Sequence, residues 1–155
     1  MYLLMTLRGN KYDMALERFL SSAPRYRLAV LGVNSPSGDD HRVLNMGREL
    51  AKTIPAFDRH NELAFQFSVQ EAVNRIVREH TISEPNLGDV VLVENLGILF
   101  EPELHIDVPE LLRRVSRNTL VVLLWQGEIT KDKLYFLRSS SSYCISQSEI
   151  NYILL

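Results

Sequence analysis

Residues 89–95 read DVVLVEN and residues 119–127 read TLVVLLWQG. Neither run alternates apolar with polar side chains, and both are shorter than the ten or more residues of a buried helix. An unalternating apolar run of this length is the pattern of a strand covered on both faces, the ordinary condition of a strand in a parallel sheet. Residues 27–32, RLAVLG, repeat the pattern and close on a glycine turn. Helical signals lie around these runs. Met14, Leu16, Phe19 and Leu20, spaced by Asp13, Glu17 and Arg18, predict an amphipathic helix over residues 10–22 that ends before Pro24. Residues 41–53 are expected to form a helix capped by the last Asp of the loop, Asp40. Ser68 with Glu71 makes a capping box for a helix running to about His80, with residues 54–67 ambiguous between a short strand and a loop. Residues 81–88, with Pro85, read as a polar linker. Asp107, Pro109 and Glu110 open a helix through Arg114. Residues 133–138 and 149–155 are expected as the last strands, around the serine loop 139–142. Strands alternating with helices in this order predict one three-layer α/β domain over residues 1–155 with a mainly parallel sheet.

Composition fits that class and excludes others. The chain has 155 residues, of which 46% are hydrophobic, enough for a self-sufficient core without disulfide or metal staples. Seventeen Lys and Arg against nineteen Asp and Glu give a net charge of -2, which argues against a dominant polyanion-binding surface. Cys144 is the single cysteine, no secretory signal pattern opens the sequence, and no apolar run approaches the roughly 18 residues of a membrane span. A cytoplasmic protein away from the membrane is the expectation. His41, His60, His80 and His105 have no metal-ligand spacing, and no nucleophile motif surrounds Cys144.

In an open parallel sheet, ligands bind outside the carboxyl ends of the strands. Three positions are expected to converge there: the loop holding Gly32, Ser37, Gly38, Asp39 and Asp40, the pair Glu94 and Asn95, and Gln126. The order of elements resembles that of P-loop NTPases with a RecA/AAA-like core. Within it, residues 90–136 resemble the BrxF family, small P-loop-containing proteins of type 3 BREX bacteriophage-exclusion systems. In that family an apolar strand ends in Asp-Asn, Ile-Leu-Phe follows, and Ser-Arg-Asn precedes a strand ending in Trp-Asn-Gly. The matching residues are Glu94 and Asn95, residues 98–100, residues 116–118, and residues 125–127.

The resemblance implies a nucleotide site whose chemistry is altered. A working Walker A loop, G-x-x-x-x-G-K-[ST], needs the lysine to neutralise phosphate oxygens and the hydroxyl to hold magnesium. Gly32 and Gly38 are separated by five residues rather than four, and neither register supplies a lysine: aligned on Gly38, Asp39 and Asp40 stand in its last two positions; aligned on Gly32, Ser37, Gly38 and Asp39 stand in the last three. A carboxylate there repels a triphosphate, although His41 or Arg42 can compensate. Glu94 stands where a Walker B acid would hold magnesium, Asn95 where a catalytic carboxylate would stand, and Gln126 in the place of a sensor amide; all three can equally be polar strand ends. Arg113, Arg114 and Arg117 form a basic helix end that can contact phosphates or a partner, or merely solvate the helix and stabilise its dipole.

The function expected from this pattern is a BrxF-like component of a BREX anti-phage system, a noncatalytic scaffold or regulatory subunit for other BREX proteins, with no cofactor required. Two alternatives stay open. One is an ATP-binding or ATPase subunit whose atypical loop is completed at an interface with a larger BREX ATPase. The other is a DNA-contacting adaptor working through the arginine cluster.

Overall fold

The computed structural model of the chain describes residues 11–35, 37, 38, 40–136 and 143–155. Helix α1 (Lys11–Ser21) precedes strand β1 (Leu28–Gly32), whose first four residues are buried. A loop leads to the short strand β2 (Val43–Asn45), helix α2 (Met46–Thr53) and the long helix α3 (Glu62–His80). A hairpin of β3 (Ile82–Glu84) and β4 (Gly88–Glu94) follows, then two 3-10 turns, helix α4 (Val108–Val115) and β5 (Leu120–Trp125). The last strands are β6 (Lys133–Tyr135), β7 (Cys144–Ser146) and β8 (Ile153–Leu154).

The main sheet runs β2-β4-β5-β1-β8, all parallel, with β3 paired antiparallel to β4 at the outside. This is the mainly parallel α/β sheet expected from the unalternating runs. Side chains of a strand point alternately to the two faces, and the burial obeys that rule. Leu28, Val30, Val91, Val93, Val121, Leu123 and Trp125 pack on one face with α2, α3 and α4. Ala29, Leu31, Val90, Leu92, Leu120, Val122 and Leu124 pack on the other, where α1 supplies Tyr12 and Leu16. Helices therefore lie on both sides of the sheet.

Several local expectations are corrected. The predicted helix over residues 41–53 is a strand followed by a helix: Val43 and Leu44 pair with β4, and α2 starts only at Met46. Asn45 caps it, its side-chain oxygen accepting from the Arg48 N–H at 2.9 Å, while Asp40 caps nothing. The box of Ser68 and Glu71 lies inside α3, because Asn61 caps that helix seven residues earlier by accepting from the Ala64 N–H. The linker around Pro85 contains β3, turned back onto β4 through Gly88 at φ +75°. Residues 133–135 do form a strand, but it pairs with Cys144–Ser146 in a separate antiparallel ribbon rather than joining the main sheet. The serine loop, residues 139–142, lies outside the described residues. The signals at Asp107 and Pro109 mark the start of α4 as expected, Asp107 accepting from the Glu110 N–H at 3.0 Å. Among the described residues, no helix is long and apolar enough to cross a membrane.

Asp13 is a buried polar group in the α1 layer. It is 6% exposed, and neither of its carboxyl oxygens has a hydrogen-bond partner among the described residues. Burial pushes its carboxyl above the usual carboxylate range, opposed by the positive amino terminus and helped by the like charges of Glu17 and Glu84. A carboxyl raised in the folded state favours folding while protonated and opposes it once pH exceeds the folded pKa. Asp13→Asn should therefore raise the urea midpoint near neutral pH, and its advantage should vanish below about pH 3, where both folded and unfolded wild-type chains hold the proton.

Candidate functional site

The carboxyl edge of the sheet is where β1 and β5 send their connections in opposite directions, β1 toward β2 and β5 toward β8. Such a divergence is where an open α/β sheet leaves a crevice. What fills it is decided by three loops.

The first is residues 33–42, which carry the chain from the middle of the sheet to its edge. The described residues among them form no helix; the loop is tied at its start by the Val33 N–H on the Trp125 carbonyl at 2.9 Å. At Ser37 it lies on the end of β4: the Ser37 N–H donates to Glu94 Oε2 at 3.0 Å and the hydroxyl to Oε1 at 2.6 Å. Glu94 is 5% exposed, so its carboxylate has left water and has these two donors in exchange. Asp40 is held by Arg42, whose Nε and Nη2 donate to its two oxygens at 3.0 Å each, with the Arg42 N–H adding a third bond. The guanidinium keeps the Asp40 carboxyl below its usual range. Its charge is thus paired within the loop rather than directed as free repulsion at the strand ends, which corrects the sequence-based picture of an unopposed acid. Asp39 lies outside the described residues.

The second is the turn after β4. Asn95 has φ +58°, a left-handed conformation that asparagine tolerates better than most residues. Its carbonyl accepts from the Gly47 N–H at 3.0 Å, and its side-chain Nδ2 donates to Asn45 Oδ1 at 2.9 Å. Asn95 thus clasps the first turn of α2, whose Arg48 N–H is also occupied by Asn45. The clasp explains Gly47: a Cβ there would lie 2.4 Å from Asn95 Nδ2. Gly97, two residues on, is packed as tightly against the Phe136 ring.

The third is the turn after β5. Trp125 is buried, with its indole N–H donating to the Tyr135 carbonyl at 3.0 Å. Gln126 and Gly127 follow, and neither has a hydrogen bond to a described residue. With Asn95, Leu96 and Phe136 these three line a pocket of about 330 Å³.

The candidate residues therefore separate. Asn95 and Gln126 come together at the pocket. Glu94 does not join them: it does not line the pocket, and both its carboxylate oxygens are bound by Ser37. Gly32 ends β1 opposite Trp125, and Gly38 sits in the loop at φ +73°. The arginines are dispersed in their contacts. Arg113 reaches Glu110 and the Glu149 carbonyl, Arg114 reaches Asn74 at 3.4 Å, and Arg117 is exposed. Ser116 is fully buried, its carbonyl accepting from the Arg27 N–H at 2.7 Å, so this stretch fastens the entry to β1. Sequence reading missed Phe136, Gly97, Asn45 and Gly47; the spacing Asn45-x-Gly47 before a helix was the available signal for the cap, but nothing local announced its partner fifty residues away. Among the described residues, no group of three His, Cys, Asp or Glu is placed to hold a metal.

Gly47→Ala should cost about 1–3 kcal/mol by overpacking, partly offset by the ~1 kcal/mol helix preference of Ala over Gly. Adding Asn95→Gly should recover much of the loss in a double-mutant denaturation cycle, whereas additive losses would show that the clasp is not the cause. Compared with family models, with curated proteins and with solved structures, the chain has no match in any of the three.

Proposed function

We propose that the chain is a BrxF-like, P-loop-derived component of a bacterial phage-defence assembly that acts as a noncatalytic scaffold or regulatory subunit. The resemblance in residues 90–136 supplies the family and the partners, other BREX proteins. The observation that carries the noncatalytic part is the contact of Ser37 with Glu94.

In a nucleotide-binding P-loop, a glycine-rich turn opens directly into a helix, and the free N–H groups of that helix start, with the lysine, surround the phosphates. Here the loop after β1 opens into a strand, β2. The next helix start is occupied by Asn45 and Asn95. Glu94, in the place of the magnesium-holding acid, has both oxygens engaged by Ser37. Asn95 has its carbonyl and one side-chain N–H in the clasp, and an amide does not accept the proton of an attacking water. The residues present do not fit a magnesium nucleotide, and no catalytic step is assigned to them. The edge serves instead to tie the loop after β1, at Val33 and Ser37, across the strand ends, which suits a surface presented to a partner.

Calorimetric titration with ATP and magnesium should give no saturable heat in the micromolar range. Micromolar, magnesium-dependent binding that is lost in Glu94→Ala would overturn the noncatalytic reading in favour of an ATP-binding subunit. Native-level tagged protein should co-purify with the products of neighbouring defence genes, and repeated recovery of the chain alone would remove the scaffold role.

A further inference from the structure

We propose that the pocket between the β4 and β5 turns binds a neutral, planar heteroaromatic ring of the nucleobase kind, independently of phosphate and magnesium. The pocket shares no lining residue with the Ser37–Glu94 contact, so this inference stands whether or not the noncatalytic reading holds.

Three observations select the ligand class. The first is size: about 330 Å³ is at the lower end of the ~300–1,000 Å³ of small-molecule pockets, room for a ring system with a small substituent. The second is charge. None of the described lining residues is ionisable, and an anionic or cationic ligand would lose its hydration there with no counter-charge to replace it. The third is the arrangement of polar and apolar groups. Trp125 and Phe136 contribute aromatic walls, Leu96 and Leu124 apolar ones. The indole N–H is already committed to the Tyr135 carbonyl, so Trp125 offers only carbon surface. Phe136 is held in place from behind, its ring against Gly97 and 6.2 Å from the Phe100 ring.

Against these walls stand the uncommitted groups of the next turn. The Gln126 side chain has no hydrogen bond to a described residue, and neither do the backbone N–H groups of Gln126 and Gly127. A primary amide presents a donor and an acceptor side by side. That pair complements the adjacent acceptor and donor on the edge of a nucleobase, and the aromatic and aliphatic lining suits the apolar body of such a ring. A purely aliphatic ligand would leave the amide unanswered.

Trp125 is the single tryptophan of the chain and a wall of the pocket, so its emission reports occupancy directly. Adenosine, guanosine, cytidine and uridine titrated separately should quench or shift that emission, with at least one saturating at a Kd on the order of 1 mM or tighter for so small a ligand. The affinity should be the same with magnesium or with EDTA. Gln126→Ala, an exposed turn position, should weaken it by about tenfold, the loss of one or two neutral hydrogen bonds. Saturation-transfer NMR on the nucleoside protons provides a second readout free of ultraviolet absorbance. A single-stranded oligonucleotide forms a further arm. Tighter, Gln126-dependent binding of the oligonucleotide would assign the base to a nucleic-acid strand, and binding of nucleosides alone would assign it to a free metabolite. No emission change and no saturation transfer from any nucleoside at about 10 mM, a range that covers weak fragment binding, would overturn the proposal. So would binding unaltered by Gln126→Ala. Magnesium-dependent ATP binding that requires Glu94 would bear on the noncatalytic reading alone.

Discussion

Everything at the working edge of this molecule follows from the burial of β1, β4 and β5 on both faces. Leu120, Val122 and Leu123 are at most 1% exposed, as are Val90, Val91 and Leu92, so none of these positions has room for a polar side chain. Chemistry is pushed to the residue where each strand leaves the sheet. On β4 that residue is Glu94, on β5 it is Gln126, and on β1 it is Gly32. Burial also forces each of these ends to satisfy its polar groups with whatever chain passes over it. The passing chain is loop 33–42, and its Ser37 supplies both donors that Glu94 needs. The loop is consequently tied to the end of β4 by the requirement of a buried carboxylate.

The legibility of the sequence follows the same division. Unalternating apolar runs report two-sided burial, and this is why residues 28–32, 89–94 and 120–125 were readable as parallel strands. Caps were readable where the cap and its helix are adjacent in sequence, as at Asp107. They failed where two signals competed. Ser68 and Glu71 satisfy the capping-box pattern, but Asn61 lies where the chain enters the helix, and the apolar face of α3 already includes Phe65. β2 was not legible at all. Val43, Leu44 and Asn45 are too few to show a period, and they form a strand only because β4 offers its edge to them. Within the candidate site, Asn95 and Gln126 were identified from position at the strand ends, while their separation from Glu94 rests on its contact with Ser37, which no local pattern announces.

The loop acids illustrate how charge inferred from a sequence changes once geometry is known. Asp39 and Asp40 next to Gly38 look like concentrated negative potential. The pairing of Asp40 with Arg42 through two parallel N–H donors makes a local, nearly neutral unit, since such planar bidentate contacts fix both partners. Its role is to shape the return of the chain: the Asp40 carbonyl accepts from the Val43 N–H and the carboxylate from the Arg42 N–H, so that β2 begins at a defined register.

A sheet edge divided in this way can carry two independent properties. At the end of β4, Ser37 and Glu94 make a fixed contact. In the turn that follows, the clasp of Asn95 with Asn45 and Gly47 pulls the chain toward α2. Gly97 lets Phe136 approach from the β6–β7 ribbon, and between them the crevice over β5 stays open. If the clasp were absent, Asn95 would have no reason to hold a left-handed conformation, and the turn would be free to settle over Gln126. The hydrogen bonds of the Asn95 clasp therefore fix one border of an uncharged pocket, while the bonds of Ser37 to Glu94 fix the loop beside it.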